Sequence, residues 1–151
     1  MRNPMVQMAL FAAGVLIPGL LIGWLFQPGL WYEQLEKPAF NPPAQVFGPA
    51  WAALCVLIGI TGWRVWNRAG DPGLRALWSA QLALNFAWSP VFFGLGAIGA
   101  ALAVVSLLLV TIVLFILRAR LREPVSALLF LPYLLWVSFA AILNAAVLRL
   151  N

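Results

Sequence analysis

The chain has 151 residues, 64% of them hydrophobic and only 9% charged, with a mean hydropathy of +0.98. A water-soluble domain of this size is mostly surface and needs far more polar residues to cover it, so the composition points to lipid as the solvent. The formal charge is +5 and histidine is absent, which removes His-based acid–base catalysis, His-ligated metals and the commonest haem ligand.

The first apolar run covers about residues 5–26, roughly 22 residues or about 33 Å as a helix, enough to cross a bilayer. Arg2 precedes it, but the run exceeds a signal-peptide core and no small-x-small cleavage site follows, so an uncleaved helix is the better reading. A second run, about 46–65, begins after Asn41-Pro42-Pro43 and carries Pro49 in its first turn, where a missing N–H costs little. A third covers about 74–95 and a fourth about 97–117, joined through Gly94, Gly96 and Gly99. Glu123-Pro124 opens a fifth over about 125–148. The fold class expected is an all-α integral membrane protein, a bundle of five transmembrane helices forming one domain. Barrel strands are excluded because they are short and alternate in polarity. Pro18, Pro90 and Pro132 are expected to kink the spans that hold them.

Arg2, Arg64, Arg68, Arg75, Arg118, Arg120 and Arg122 fall on one side of the bundle, against Lys37 and Arg149 on the other. The positive-inside rule then puts the N-terminus in the cytoplasm and the C-terminus outside. Charge flanking spans in this way does not make a face for phosphates, so nucleic acid is excluded as a partner. The single cysteine, Cys55, is read as a packing residue.

The eight tryptophans divide by depth. Trp63, Trp66 and Trp78 lie among Arg64, Arg68 and Arg75 and read as an interfacial belt. Trp24 ends the first run, Trp31 lies in the long loop, and Trp51, Trp88 and Trp136 lie inside spans, away from any belt on the arginine side. Gln81, Asn85 and Trp88 share one helical face, and Asn144 stands near the outer end of the fifth run. Such amides either bond another helix or line a cavity, and the sequence leaves both readings open. The loop of about residues 27–44 holds Trp31, Tyr32, Leu35, Phe40 and four prolines. It reads as a lid whose aromatic residues cap a cavity, with a solvated surface segment as the alternative.

Trp31-Tyr32, then Leu35-Glu36-Lys37-Pro38, Asn41-Pro42-Pro43 and Phe47-Gly48-Pro49-Ala50-Trp51, resemble the tryptophan-rich sensory protein/translocator protein family, that of the peripheral-type benzodiazepine receptor. The stretches 81–94 (QLALNFAWSPVFFG), 131–136 (LPYLLW) and Leu143-Asn144 extend the resemblance over essentially the whole chain. It implies a five-helix bundle, often a homodimer, with a pocket beneath the first loop. The implied ligands are porphyrins, chiefly protoporphyrin IX, and isoquinoline carboxamide and benzodiazepine drugs. Matching the motifs puts the pocket at Trp31, Tyr32, Pro42, Trp51, Asn85, Trp88, Phe92 and Trp136, and the polar face adds Asn144. A small-residue dimer face is implied at Ala80, Ala83 and Ala87, with Gly19 and Gly23 as a rival pair. The cholesterol motif of animal members is incomplete, since Ala145 stands where its tyrosine would be.

Three functions compete. In the first the protein is a receptor or carrier binding tetrapyrroles, indoles offering stacking area and N–H donors, with Lys37 placed to attract a propionate. In the second it degrades porphyrin in light, as the resemblance suggests, with Trp51 as the oxidisable group. No nucleophile–base pair or metal cluster suggests a conventional active site. In the third it is a passive transporter or a scaffold. Ion-coupled transport is excluded by the lack of ionisable residues near the midplane. No cofactor is required in any of the three, and no metal site is expected.

Overall fold

A computed structural model describes residues 3–151. The described residues form helices and connecting turns, without a strand. The helices are α1 (Pro4–Leu25), α2 (Leu30–Gln34), α3 (Ala44–Arg64), α4 (Pro72–Ser89), α5 (Ile98–Arg122), α6 (Pro124–Leu129) and α7 (Leu131–Leu150). Four segments are long and apolar enough to cross a membrane: Pro4–Leu25, Ala44–Ala69, Ile98–Arg122 and Pro124–Leu150. The third apolar run of the sequence, now α4, is not among them; its buried face carries Gln81 and Asn85.

The ends of these helices follow from local chemistry. Asn3 caps α1, its side-chain oxygen accepting from the Met5 N–H. Asp71 caps α4 by accepting from the Gly73 and Leu74 N–H groups, with Pro72 at the first helical position, so α4 starts two residues before the apolar run does. Helix α5 continues to Arg122, beyond the apolar boundary at residue 117, because arginine is a good helix former. A π-helical turn, Val65–Ala69, follows α3, and another, Pro90–Gly94, follows α4. The fifth run is not one straight helix. It breaks at Phe130, between α6 and α7, and Pro132 lies in the first turn of α7, where its missing N–H costs little.

Helix α1 packs along α3, α4 along α5, and α5 against α6 and α7. The core runs through the bundle as one cluster that includes Ile58, Leu74, Ile112, Phe115, Phe130 and Tyr133. In water each such residue would gain about 1.5–3 kcal/mol from burial. Lipid tails are as apolar as leucine, however, so close packing and interhelical hydrogen bonds must do most of the holding. The closest packing is at Gly59, where a Cβ would stand 2.4 Å from the Ala12 Cα. Only a glycine lets the α1 and α3 backbones approach so nearly. Of α1, just Val15 and Gly19 are buried.

The two ends of the bundle differ in chemistry. At one, Arg64 pairs with Glu123, and Arg118 grips Asp71 through Nε and Nη2. These pairs tie the α3–α4 and α5–α6 connections to neighbouring helices. At the other end the loop between α1 and α3 lies over the chain's most aromatic region.

Candidate functional site

Helix α4 presents Gln81, Asn85 and Trp88 to the bundle interior, as their spacing predicts, and the first two are buried. Gln81 is fully committed. Its Oε1 accepts from the Tyr133 hydroxyl at 2.8 Å, and its Nε2 donates to the Trp78 carbonyl. Asn144 is committed too: its Oδ1 accepts from the Trp88 indole N–H at 3.1 Å, while its Nδ2 donates to the Ile98 carbonyl. These two amides are interhelical ties. Asn85 is different, being 3% exposed with an Nδ2 that has no partner among the described residues. An unpaired buried donor costs about 1–3 kcal/mol.

Around the C-terminal end of α4 the rings pack on one another. Trp88 stacks on Phe92 with centroids 4.9 Å apart, and Phe93 meets both edge-on. From the loop, Trp31 lies 5.9 Å from Phe92, and Tyr32 lies 6.1 Å from Phe92 and 5.3 Å from Phe93. Gly96, at φ +62°, makes room for Trp31: a Cβ there would be 3.2 Å from the indole. Lys37 holds its Nζ 4.6 Å above the Tyr32 ring while donating to the Glu33 and Leu35 carbonyls. Burial pushes the Tyr32 hydroxyl above its ordinary pKa of 10.0, and the neighbouring Asn41 amide partly offsets this. Tyr32 is therefore a neutral donor at physiological pH.

A second aromatic group joins the loop to α3 and α7. Phe47 meets Trp136 at 5.8 Å, and Phe40 meets Phe139 at 6.3 Å. Trp51 lies one turn after Phe47 on α3 and donates its indole N–H to the Gly19 carbonyl of α1 at 3.2 Å. Pro42 is half-buried in the loop. The loop is also clasped to residue 151: the Glu36 N–H donates to Asn151 Oδ1, and Asn151 Nδ2 donates to the Glu36 carbonyl, both at 3.0 Å.

A profile of the TspO/MBR family matches residues 8–150. The chain belongs to the TspO/MBR family. It is 38% identical to the tryptophan-rich sensory protein of Cereibacter sphaeroides, over 85% of this chain and 82% of that one. It is 37% identical to protein CrtK of Rhodobacter capsulatus, over 85% and 83% respectively. The human translocator protein is 38% identical over 88% of this chain and 83% of its own. With four helices able to span a bilayer, this TspO/MBR member is a multi-pass integral membrane protein.

Of the residues singled out from sequence, Trp31, Tyr32, Trp88, Phe92 and Asn144 thus form one connected group in this TspO/MBR chain. Trp136 belongs to the second group, Trp51 faces α1, and Asn85 lies one turn from Trp88. Sequence reasoning missed Phe93, Phe47 and Phe139, whose spacing from Phe92, Trp51 and Trp136 was the available signal. It also misread two belt residues. Trp63 and Trp78 are buried, donating to Gln7 Oε1 and to the Ile58 carbonyl. Only Trp66 of the three is exposed, because α3 and α4 turn the other two indoles inward. Ala80 and Ala83 lie exposed on α4 with Ala87 half-buried. Of the rival pair on α1, Gly19 is filled against Cys55 and Trp51 inside the chain, whereas Gly23 has open space around it.

Proposed function

We propose that this protein is a membrane receptor for tetrapyrroles, with protoporphyrin IX as the ligand, bound between the loop and the aromatic outer half of the bundle. The reading rests above all on Asn85, a buried amide with an unused donor one turn from the stacked Trp88 and Phe92. A planar π-system inserted against these rings gains stacking area, and its polar edge supplies the acceptor that Asn85 lacks. The loop acts as the lid. Its Trp31 and Tyr32 now occupy the faces that a ligand would take, so entry requires the loop to lift. Lys37 stands at the mouth, where a propionate would meet it. In this reading α4 is the fifth span, screened from lipid on its amide face, the arginine-rich end is cytoplasmic, and Ala80, Ala83 and Ala87 form the contact of a homodimer.

Tryptophan-fluorescence titration with protoporphyrin IX in detergent tests the assignment. Asn85→Leu removes the unpaired donor, so thermal stability holds or rises while affinity falls about tenfold, the worth of roughly one buried hydrogen bond. Trp63→Phe, at the far end, leaves affinity unchanged. Equal affinities in the wild type, Asn85→Leu and Trp88→Phe would refute the site.

A further inference from the structure

At the arginine-rich end two open clefts adjoin on the outer surface between α1 and its neighbours. One, of about 290 Å³, is lined by Gln7, Leu10, Phe11, Trp66 and Asn67. The other, of about 350 Å³, is lined by Leu10, Phe11, Gly14, Val15, Trp78 and Leu82. They share Leu10 and Phe11, so they form one groove that is polar at the bundle end and apolar toward the middle. Aromatic rings build its wall: Phe11 lies 6.2 Å from Trp66, and Trp66 lies 5.3 Å from Trp78. Each cleft is near the lower limit of small-ligand sites, about 300 Å³, which suits part of a chain-like molecule better than a rigid plate.

The charge around the polar end is one-sided. Asp71 and Glu123, the carboxylates there, are taken by Arg118, Arg122 and Arg64. Arg68 and Arg75 have no carboxylate partner among the described residues. Arg75 is held by the groove's own Trp66, and Arg68 by Trp63 beside it. Arg75 lies 5.9 Å from the Trp66 ring and donates to the Trp66 carbonyl. Arg68 lies 5.3 Å from the ring of Trp63, whose N–H donates to Gln7 Oε1 in the groove. The Arg75 Nε is buried with no acceptor. Two cations, one with a spare buried donor, thus stand where an apolar groove reaches the bundle end.

We infer that this groove binds a single anionic phospholipid, one acyl chain lying along Phe11, Gly14, Trp78 and Leu82 and the phosphate held by Arg68 and Arg75. Charge complementarity decides the occupant. A zwitterionic lipid brings its own cation to the arginines, whereas an anionic headgroup leaves its charge for them. The site lies at the opposite end from the tetrapyrrole site and does not depend on it.

Native mass spectrometry of the detergent-purified protein measures the first lipid bound, with phosphatidylglycerol and phosphatidylcholine of identical acyl chains. Phosphatidylglycerol is expected to bind at least about fivefold more tightly, and Arg68→Gln with Arg75→Gln to abolish that preference. Gly14→Leu is the steric test: a Cβ at Gly14 meets no atom within 4 Å, so the side chain fills the groove and weakens both lipids without straining the fold. Inorganic phosphate does not displace the bound lipid. Equal affinity for the two lipids overturns the proposal, as does a preference that survives the arginine substitutions. So does a Gly14→Leu protein that keeps its lipid, or one that loses only dimerisation, which would make a second copy the occupant. The paired arginine variant lies at the rim, so the test stands even where Gly14→Leu fails to fold.

Discussion

Replacing Tyr133 by phenylalanine removes one hydroxyl and leaves the ring's packing intact. In the wild type that hydroxyl donates to Gln81 Oε1 at 2.8 Å, and neither residue is exposed at all. Two general magnitudes disagree about the cost. A buried acceptor left without a donor costs about 1–3 kcal/mol, yet interhelical hydrogen bonds in membrane proteins average about 0.6 kcal/mol, because a freed group usually finds another partner. The geometry decides between them. Gln81 Nε2 is already engaged with the Trp78 carbonyl, so the amide cannot turn to a new donor without breaking that bond. We therefore expect Tyr133→Phe to cost about 1.5 kcal/mol, near the upper end of the membrane range. Equilibrium unfolding in mixed dodecylmaltoside–SDS micelles measures it. Thr61→Val serves as the control, since Thr61 Oγ1 donates only to the Leu57 carbonyl of its own helix, a back-bond that adds little to a helix, and should cost much less. Gln81→Leu combined with Tyr133→Phe should recover most of the loss, because no orphaned acceptor remains. A Tyr133→Phe protein as stable as the Thr61→Val control would refute the reasoning.

Gly59→Leu should prevent folding or cost more than the usual overpacking of about 1–3 kcal/mol, since its Cβ meets the α1 backbone; Gly23→Leu, with open space around it, should be tolerated, and detergent-stable yield separates them. Gly96→Ala combines a left-handed backbone, about 1–2 kcal/mol for a residue with a Cβ, with contact on Trp31; it should expose Trp31 to acrylamide quenching, an increase absent in a Trp31→Phe background. Asp71 gives a pH test: the Arg118 side chain holds its carboxyl below the ordinary value of 3.8, the Gly73 and Leu74 N–H groups adding to this and burial opposing it. Its folded pKa is depressed, so the stabilisation is full above the ordinary value and is lost as pH falls through the folded one. Melting curves from about pH 6 to about pH 2 should therefore steepen at the acid end for the wild type and less so for Asp71→Asn; parallel profiles would contradict the pairing.

The apolar runs were legible because lipid imposes length and apolarity on any helix that crosses it. Their ends were less so. Asp71-Pro72 carried a cap signal stronger than the hydropathy boundary at Leu74, and the arginines after Leu117 marked a change of solvent without ending α5. The break at Phe130 and the two π-helical turns depend on how neighbouring helices satisfy freed carbonyls, which no local pattern encodes. Helix α2 has five residues, too few for a period to register. The polar face of α4 could be read from the spacing of Gln81, Asn85 and Trp88. What each amide does could not, since Tyr133 and Asn144 come from a helix far along the chain. Depth sorted Trp88 and Trp136 correctly away from a belt, but arginine neighbours were a poor guide for Trp63 and Trp78. Those two indoles had to find acceptors, and the acceptors belong to other helices.

The pair of hydrogen bonds between Glu36 and Asn151 makes Asn151 a reporter on the loop between α1 and α3. If that loop swings away, both bonds break together and the final turn of α7 loses its outside anchor. A small fluorophore or spin label near residue 151 would therefore register movement of that loop without touching any aromatic residue. A bulky group at the same point would compete with the clasp and loosen the loop's hold on α7.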